Sequence, residues 1–282
     1  MGRKILRILP DQAIIGAMNV RFVLRGSALG LSIALFIMAL LFVTGPGRQW
    51  LPFPPVVPAV PDLTAPPGSL PTSSGGLIEW ARYGDDVYHP VGRGFLFRLP
   101  SGEVVGVTTA HSLSFTAQPR LRSIALAQHE TSQRTIEFET FRGDPGEART
   151  GEDMSVDYVL LNAPRDQSLD PALILDPDPR GLPQPGERVA LYSIVYDRPR
   201  IFPGAVLSAD PSAIWVVMDE DFDPAGLSGS PFVSQHSGKV IGMAIATTRR
   251  GGKVLLGLHP IGSLVQKAQA AHTFVNIAAF RR

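Results

Sequence analysis

Gly226-Leu227-Ser228-Gly229-Ser230-Pro231 is the stretch on which the reading of this chain turns. A serine that acts as a nucleophile must project its hydroxyl from a tight turn. Its neighbours must be small, so that a substrate carbonyl can approach, and backbone N–H groups must point at the charge that develops on the oxygen. Gly226, Ser228 and Gly229 meet those needs. Taken alone, the pattern fits an ordinary Gly/Ser-rich hairpin turn equally well.

Upstream, the run Val104–Thr109 (VVGVTT) leads directly into Ala110-His111-Ser112-Leu113. A histidine at a strand end is held rigidly enough to serve as a general base, although a lone histidine there is more often structural. Further on, Val156-Asp157-Tyr158-Val159-Leu160-Leu161 opens an apolar strand with an acid. Burying a carboxylate without a partner is costly. A histidine N–H is such a partner, and it would fix the ring tautomer. An exposed aspartate at a strand start is the competing reading. The order His, Asp, Ser, each beside a strand pattern, gives the three more weight together than apart.

The surrounding texture is β. Short apolar runs bounded by Gly, Pro, Asp or Ser are expected as strands at 94–99, 104–109, 135–141, 158–161 and 189–194. Further strands are expected at 201–207, 214–218, 231–233, 240–246 and 254–258. Leu99-Pro-Ser-Gly-Glu103 is a hairpin signal. Ile261, Leu264, Val265 and Ala268 recur at helical spacing, so one helix is expected over 261–271. This pattern predicts an all-β domain over 76–282 with a C-terminal helix, as two packed barrels of about six strands each.

These motifs resemble the chymotrypsin/trypsin-like serine peptidase family, of bacterial type. Gly92-Arg93-Gly94-Phe95 is similar to the strand before the family's histidine. TTAHSL, DYVLL and GLSGSP are similar to its histidine, aspartate and serine motifs, and Val240-Ile241-Gly242-Met243 to the strand after the serine. The likeness covers about residues 76–271. It implies a chymotrypsin-like double β-barrel with the site in the cleft, and peptide-bond hydrolysis through an acyl-enzyme. It also implies His111 as base, Asp157 as orienter and Ser228 as nucleophile, with the backbone N–H groups of Gly226 and Ser228 as oxyanion hole.

Four departures from the family matter. Leu227 stands where members activated by cleavage carry an aspartate, so no activation of that kind is expected. The chain has no cysteine, which excludes disulfides, thiolate metal sites and a cysteine nucleophile. The family's anchored envelope proteases usually carry a PDZ domain after the catalytic one, and the stretch after Ala271 is too short for one. The primary specificity pocket would be walled by Phe222, Ile245, Ala246 and Thr247, none of them anionic, which implies small or apolar side chains before the scissile bond. Asp221 and Asp223 flank that position.

The N-terminal quarter differs. Residues 1–25 hold Arg3, Lys4, Arg7, Arg21 and Arg25 against a single acid, Asp11. Residues 26–44 (GSALGLSIALFIMALLFVT) are uncharged, and at about 1.5 Å each they reach roughly 28 Å, close to the ~30 Å hydrocarbon core. The expectation is one transmembrane helix with a cytoplasmic N-terminus and the rest of the chain outside, periplasmic or extracellular. A cleaved signal peptide is the competing reading, but the run is long for one and Pro46 spoils the nearest cleavage context. Residues 45–75 hold nine prolines between Pro46 and Pro71, which suits a semi-rigid spacer.

A formal charge of +1 gives no reason to expect nucleic acid as a partner. His89, His129, His236, His259 and His272 lack metal-ligand spacing and read mostly as surface or loop residues, so no metal or cofactor is expected. The sequence thus points to an anchored serine endopeptidase acting on proteins or peptides. A catalytically silent protease-fold domain, used as an anchored binding or sensor module, is the alternative.

Overall fold

The computed structural model describes residues 75–281, apart from 85–86, 117–118, 130–134 and 165–167. The apolar segment 26–44 and nearly all of the proline-rich linker lie outside the described residues. Among the described residues no helix is long and apolar enough to cross a membrane.

Two β-sheets are built in sequence order. The first contains β1 (Leu77–Arg82), β2 (Tyr88–Arg98), β3 (Val104–Thr108), β4 (Ser123–Ala127) and β5 (Thr135–Phe138). It continues with β6 (Thr140–Arg142), β7 (Val159–Asn162), β8 (Ile174–Leu175) and, from the far end of the chain, β15 (Phe274–Asn276). The second contains β9 (Arg188–Val195), β10 (Arg198–Ala209), β11 (Ile214–Met218), β12 (Pro231–Ser234), β13 (Val240–Arg250) and β14 (Lys253–Pro260). The helix α1 (Ile261–Ala270) follows β14 directly.

The second sheet closes into a six-stranded barrel in the order β10-β11-β14-β13-β12-β9. The first does not close by hydrogen bonds, in contrast to the two closed barrels expected. Its path runs β15-β6-β7-β3-β2-β1-β4-β5, with β8 parallel to β2. Its two flanks are nevertheless one piece of chain, because β5 and β6 are separated only by Glu139. The strand expected over 135–141 bends there, pairing with β4 before the bend and with β7 after it.

The side-chain period of two explains how three apolar clusters arise from these strands. In β2, Leu96 faces the interior of the first sheet while Phe95 and Phe97 face the seam between the sheets. In β7, Val159 and Leu161 point inward and Leu160 to the seam. In β9, Val189 and Leu191 fill the second barrel, and Ala190 and Tyr192 turn to the seam. Burying a side chain such as Phe95 or Phe97 stabilises the seam by roughly 1.5–3 kcal/mol. The same strands therefore build two interiors and the joint between them.

Helix α1 buries Ile261, Leu264 and Ala268 along one face, as its periodicity predicts. The chain then returns to the first sheet. There β15 pairs with β6, and Ile277 enters the apolar interior. Phe280 meets Phe141 and Phe115 edge-on, with ring centroids 5.4 and 5.6 Å away.

Candidate active site

Antiparallel pairing of β3 with β7 sets Thr108 opposite Val159. Two residues beyond β3 and two before β7, Ala110 therefore faces Asp157. Asp157 is fully buried, yet its carboxylate is well supplied with donors. Oδ1 accepts the N–H groups of Ala110 (2.7 Å) and His111 (3.2 Å). Oδ2 lies 2.8 Å from His111 Nδ1 and accepts the Arg149 N–H at 3.2 Å. Burial pushes the Asp157 carboxyl up, but the bonds to His111 and to the backbone outweigh it, and its pKa is lowered overall. An ionised Asp157 requires the N–H of His111 to sit on Nδ1, leaving Nε2 as the acceptor. The imidazole is about one-third exposed.

Behind Asp157 stands His259. It is fully buried in β14, unlike the surface or loop position expected for most of the histidines. Its Nδ1 lies 3.4 Å from the Asp157 carbonyl and its Nε2 3.1 Å from Ser263 Oγ. Burial holds its pKa down at about 4, so the ring is neutral and the Asp157 segment gains a tether to the second barrel without an added charge.

Ser228 comes from the loop between β11 and β12. Three contacts fix it. Its carbonyl accepts the Arg93 N–H at 2.9 Å, the Gly229 N–H donates to Ala244 O at 2.8 Å, and Ser230 Oγ donates to Ser193 Oγ at 2.9 Å. Leu227 is only 4% exposed and anchors the loop in the core of the second barrel. Gly229 has φ +92°, and a Cβ there would lie 1.8 Å from Arg93 O, so nothing but glycine fits against β2. The other face of that carbonyl accepts Thr108 Oγ1 at 2.8 Å, in the strand that leads to His111. The loops of Ser228 and His111 are thus held on either side of one residue of β2. Among the described residues no hydrogen bond joins His111 to Ser228. Gly226 has φ +74°, and neither its N–H nor that of Ser228 has an acceptor among the described residues.

Around this site, Phe222 stacks on Phe202 with centroids 4.3 Å apart. Ile245 is 4% exposed and belongs to the seam between the sheets, while Ala246 is half-buried and Thr247 exposed. The flanking acids are engaged: Asp221 pairs with Arg249, and Asp223 accepts the Ala225 N–H at 3.0 Å. Among the described residues no group of three or more His, Asp and Glu side chains is arranged to hold a metal ion.

No known protein-family model matches the chain, and no curated protein sequence does. Solved structures do match. A variant of human heparin-binding protein aligns with TM-score 0.52 at 12% identity, over 73% of this chain and 94% of that one. The active form of the Rv3671c protease from M. tuberculosis aligns with TM-score 0.49 at 16% identity, over 78% and 93%. The thermostable serine protease AL20, from an extremophilic microorganism, aligns with TM-score 0.49 at 13% identity, over 71% and 98%.

The chain has the chymotrypsin-like fold.

In this chymotrypsin-like domain the sequence motifs fall at the junction of the two sheets. Several residues that shape the site escaped the sequence reading: Glu79 and Arg93 beside the histidine loop, the Arg149 backbone, and His259. Glu79 carried a signal of the kind used for Asp157, an acid inside an apolar run (LIEWAR). The Arg149 N–H lies in a loop with no signal of its own.

Proposed function

We propose that the chain is a serine endopeptidase with His111, Asp157 and Ser228 as its triad, tethered to a membrane by residues 26–44. The observation that carries the catalytic reading is the Asp157 carboxylate, buried, with donors on both oxygens, and bonded to His111 Nδ1. A surface aspartate would not be buried at the cost of desolvation and then supplied with three backbone N–H groups.

In the proposed cycle His111 Nε2 takes the Ser228 hydroxyl proton as Oγ attacks the substrate carbonyl. Asp157 stabilises the imidazolium that forms. The N–H groups of Gly226 and Ser228 receive the oxyanion. His111 then gives its proton to the leaving amine, and water hydrolyses the acyl-enzyme by the same relay. His111 and Ser228 need only close to hydrogen-bond distance when substrate fills the cleft.

The substrate side chain before the scissile bond is small or apolar, since Phe222, Ile245, Ala246 and Thr247 carry no charge and Asp221 is paired with Arg249. The loop needs no activating ion pair, because buried Leu227 already anchors it. Fluorophosphonate labelling of the wild type and of Ser228→Ala is the test. Labelling of the wild type that Ser228→Ala abolishes is expected. No labelling of either protein would leave the silent binding module as the reading.

A further inference from the structure

Glu79 lies in β1, fully buried, between β2 and β4. The Ser112 hydroxyl, one residue beyond His111, sits 2.8 Å from Glu79 Oε2 and 2.9 Å from Thr109 O. A hydroxyl has one proton, and a carbonyl can only accept. A full two-centre hydrogen bond at each contact requires Ser112 to donate to Thr109 O and Glu79 to supply the proton for the other. The second carboxyl oxygen, Oε1, is buried with no hydrogen-bond partner, a state tolerable for a neutral acid and costly for a carboxylate. Gly92 admits the group: a Cβ there would lie 2.7 Å from Glu79 Oε2 and 3.2 Å from Ser112 Cβ.

We propose that Glu79 is a positioning residue for His111, holding the histidine turn as a neutral acid that donates its proton to Ser112 Oγ. Loss of that proton turns the Ser112 hydroxyl from Thr109 O toward the new carboxylate and releases the turn that carries the base. The proposal rests on the protease reading for its effect on rate, but not for its effect on the turn.

The charged surroundings are few. Arg93 faces Glu79 from β2, and His111 is the titratable neighbour on the turn after β3. Strand β3 (VVGVT) and strand β4 (SIALA) contribute no charge. Burial raises the Glu79 carboxyl to about 8, against the opposing pull of Thr108, Ser112 and Arg93.

The test uses the full chain and two readouts. The first is the rate of fluorophosphonate labelling against pH for the wild type, Glu79→Gln and Glu79→Ala. Glutamine stays neutral and can donate to Ser112. The wild type is expected to lose about fivefold between pH 8 and pH 9, Glu79→Gln to keep its neutral-pH rate without that loss, and Glu79→Ala to be slow throughout. An alkaline limb unchanged in Glu79→Gln overturns the proposal. The second readout is NMR of the glutamate carboxyl carbons and the His111 ring. A carboxyl titrating near pH 8, absent from Glu79→Gln, with the His111 ring signals moving in step, supports the proposal. His111 signals that ignore that titration overturn it. A wild type that never labels defeats the protease reading, and the NMR titration still decides the role of Glu79.

Discussion

The backbone N–H of Arg93 reaches the carbonyl of Ser228 at 2.9 Å, so a residue of the first sheet directly holds the Ser228 loop of the second. The Arg93 guanidinium adds bonds of 3.1 and 2.8 Å to the Ile194 carbonyl in the second barrel. This join requires a backbone with no side chain at Gly229. Gly229→Ala is expected to force the loop off β2. It should cost on the order of 3 kcal/mol or more of stability, because the strained φ and the clash with Arg93 O add. Chemical denaturation measures the first effect, and fluorophosphonate labelling should be lost with it.

Asp157→Asn tests the orienting role. The amide keeps the volume but presents a donor where the carboxylate accepted, so the histidine tautomer is wrong. Turnover of a peptide ester should fall by about 10³–10⁴-fold while the fold survives. A fall of less than tenfold would remove Asp157 from the triad.

Two buried groups set a stability optimum in pH. His259 is held at about 4, below its ordinary 6.5. The unfolded chain therefore binds the extra proton first, and stability present above 6.5 is lost as pH falls toward 4. Glu79 is raised from 4.5 to about 8, so its contribution is complete below 4.5 and is lost as pH rises through 8. Thermal melts from pH 4 to 9 should give a maximum between these limbs. Glu79→Gln should flatten the alkaline side and His259→Gln the acidic side, each by a few kcal/mol at the extreme.

Cleavage of a peptide library should favour Ala, Val or Leu over Arg or Lys before the scissile bond. Faster cleavage after Arg or Lys would mean that Asp221 or Asp223 is released from its present partner to line the pocket. The domain from residue 76 should act without a prior cut near its start, and full dependence on such a cut would refute the reading of Leu227.

Absence of cysteine makes topology easy to read. Cysteines introduced as Gly2→Cys and Ser237→Cys are expected to react with a membrane-impermeant maleimide only at position 237 in intact cells. Reaction at position 2, or at neither, would reverse or remove the proposed orientation.

Much of the candidate site was legible because its residues sit where apolar periodicity meets an anomaly. Asp157 breaks an apolar run, His111 ends one, and Ser228 lies among glycines. Apart from β1, whose short run is interrupted by Glu79, the strands with β-branched or apolar runs were likewise visible. Strand β4 was not, because Ser123-Ile-Ala-Leu-Ala127 is buried on both faces and small residues blur its pattern. Strand β15 is three residues long and acquires its conformation from β6. The bend at Glu139 was hidden because both sides of it are strand. Glu79 and His259 were missed for a common reason: a buried polar group is defined by its partners across the fold, at Ser112 and at Asp157, and those pairings are invisible in linear order.

The return of the chain from α1 to the first sheet has a consequence for synthesis. Strand β15 supplies the outer partner of β6, and Ile277 and Phe280 enter the interior of the first sheet. A nascent chain can form most of that sheet early but must leave this edge open until residues 274–280 have been made. The first sheet therefore waits for residues 274–280, so the domain is completed only after these have emerged.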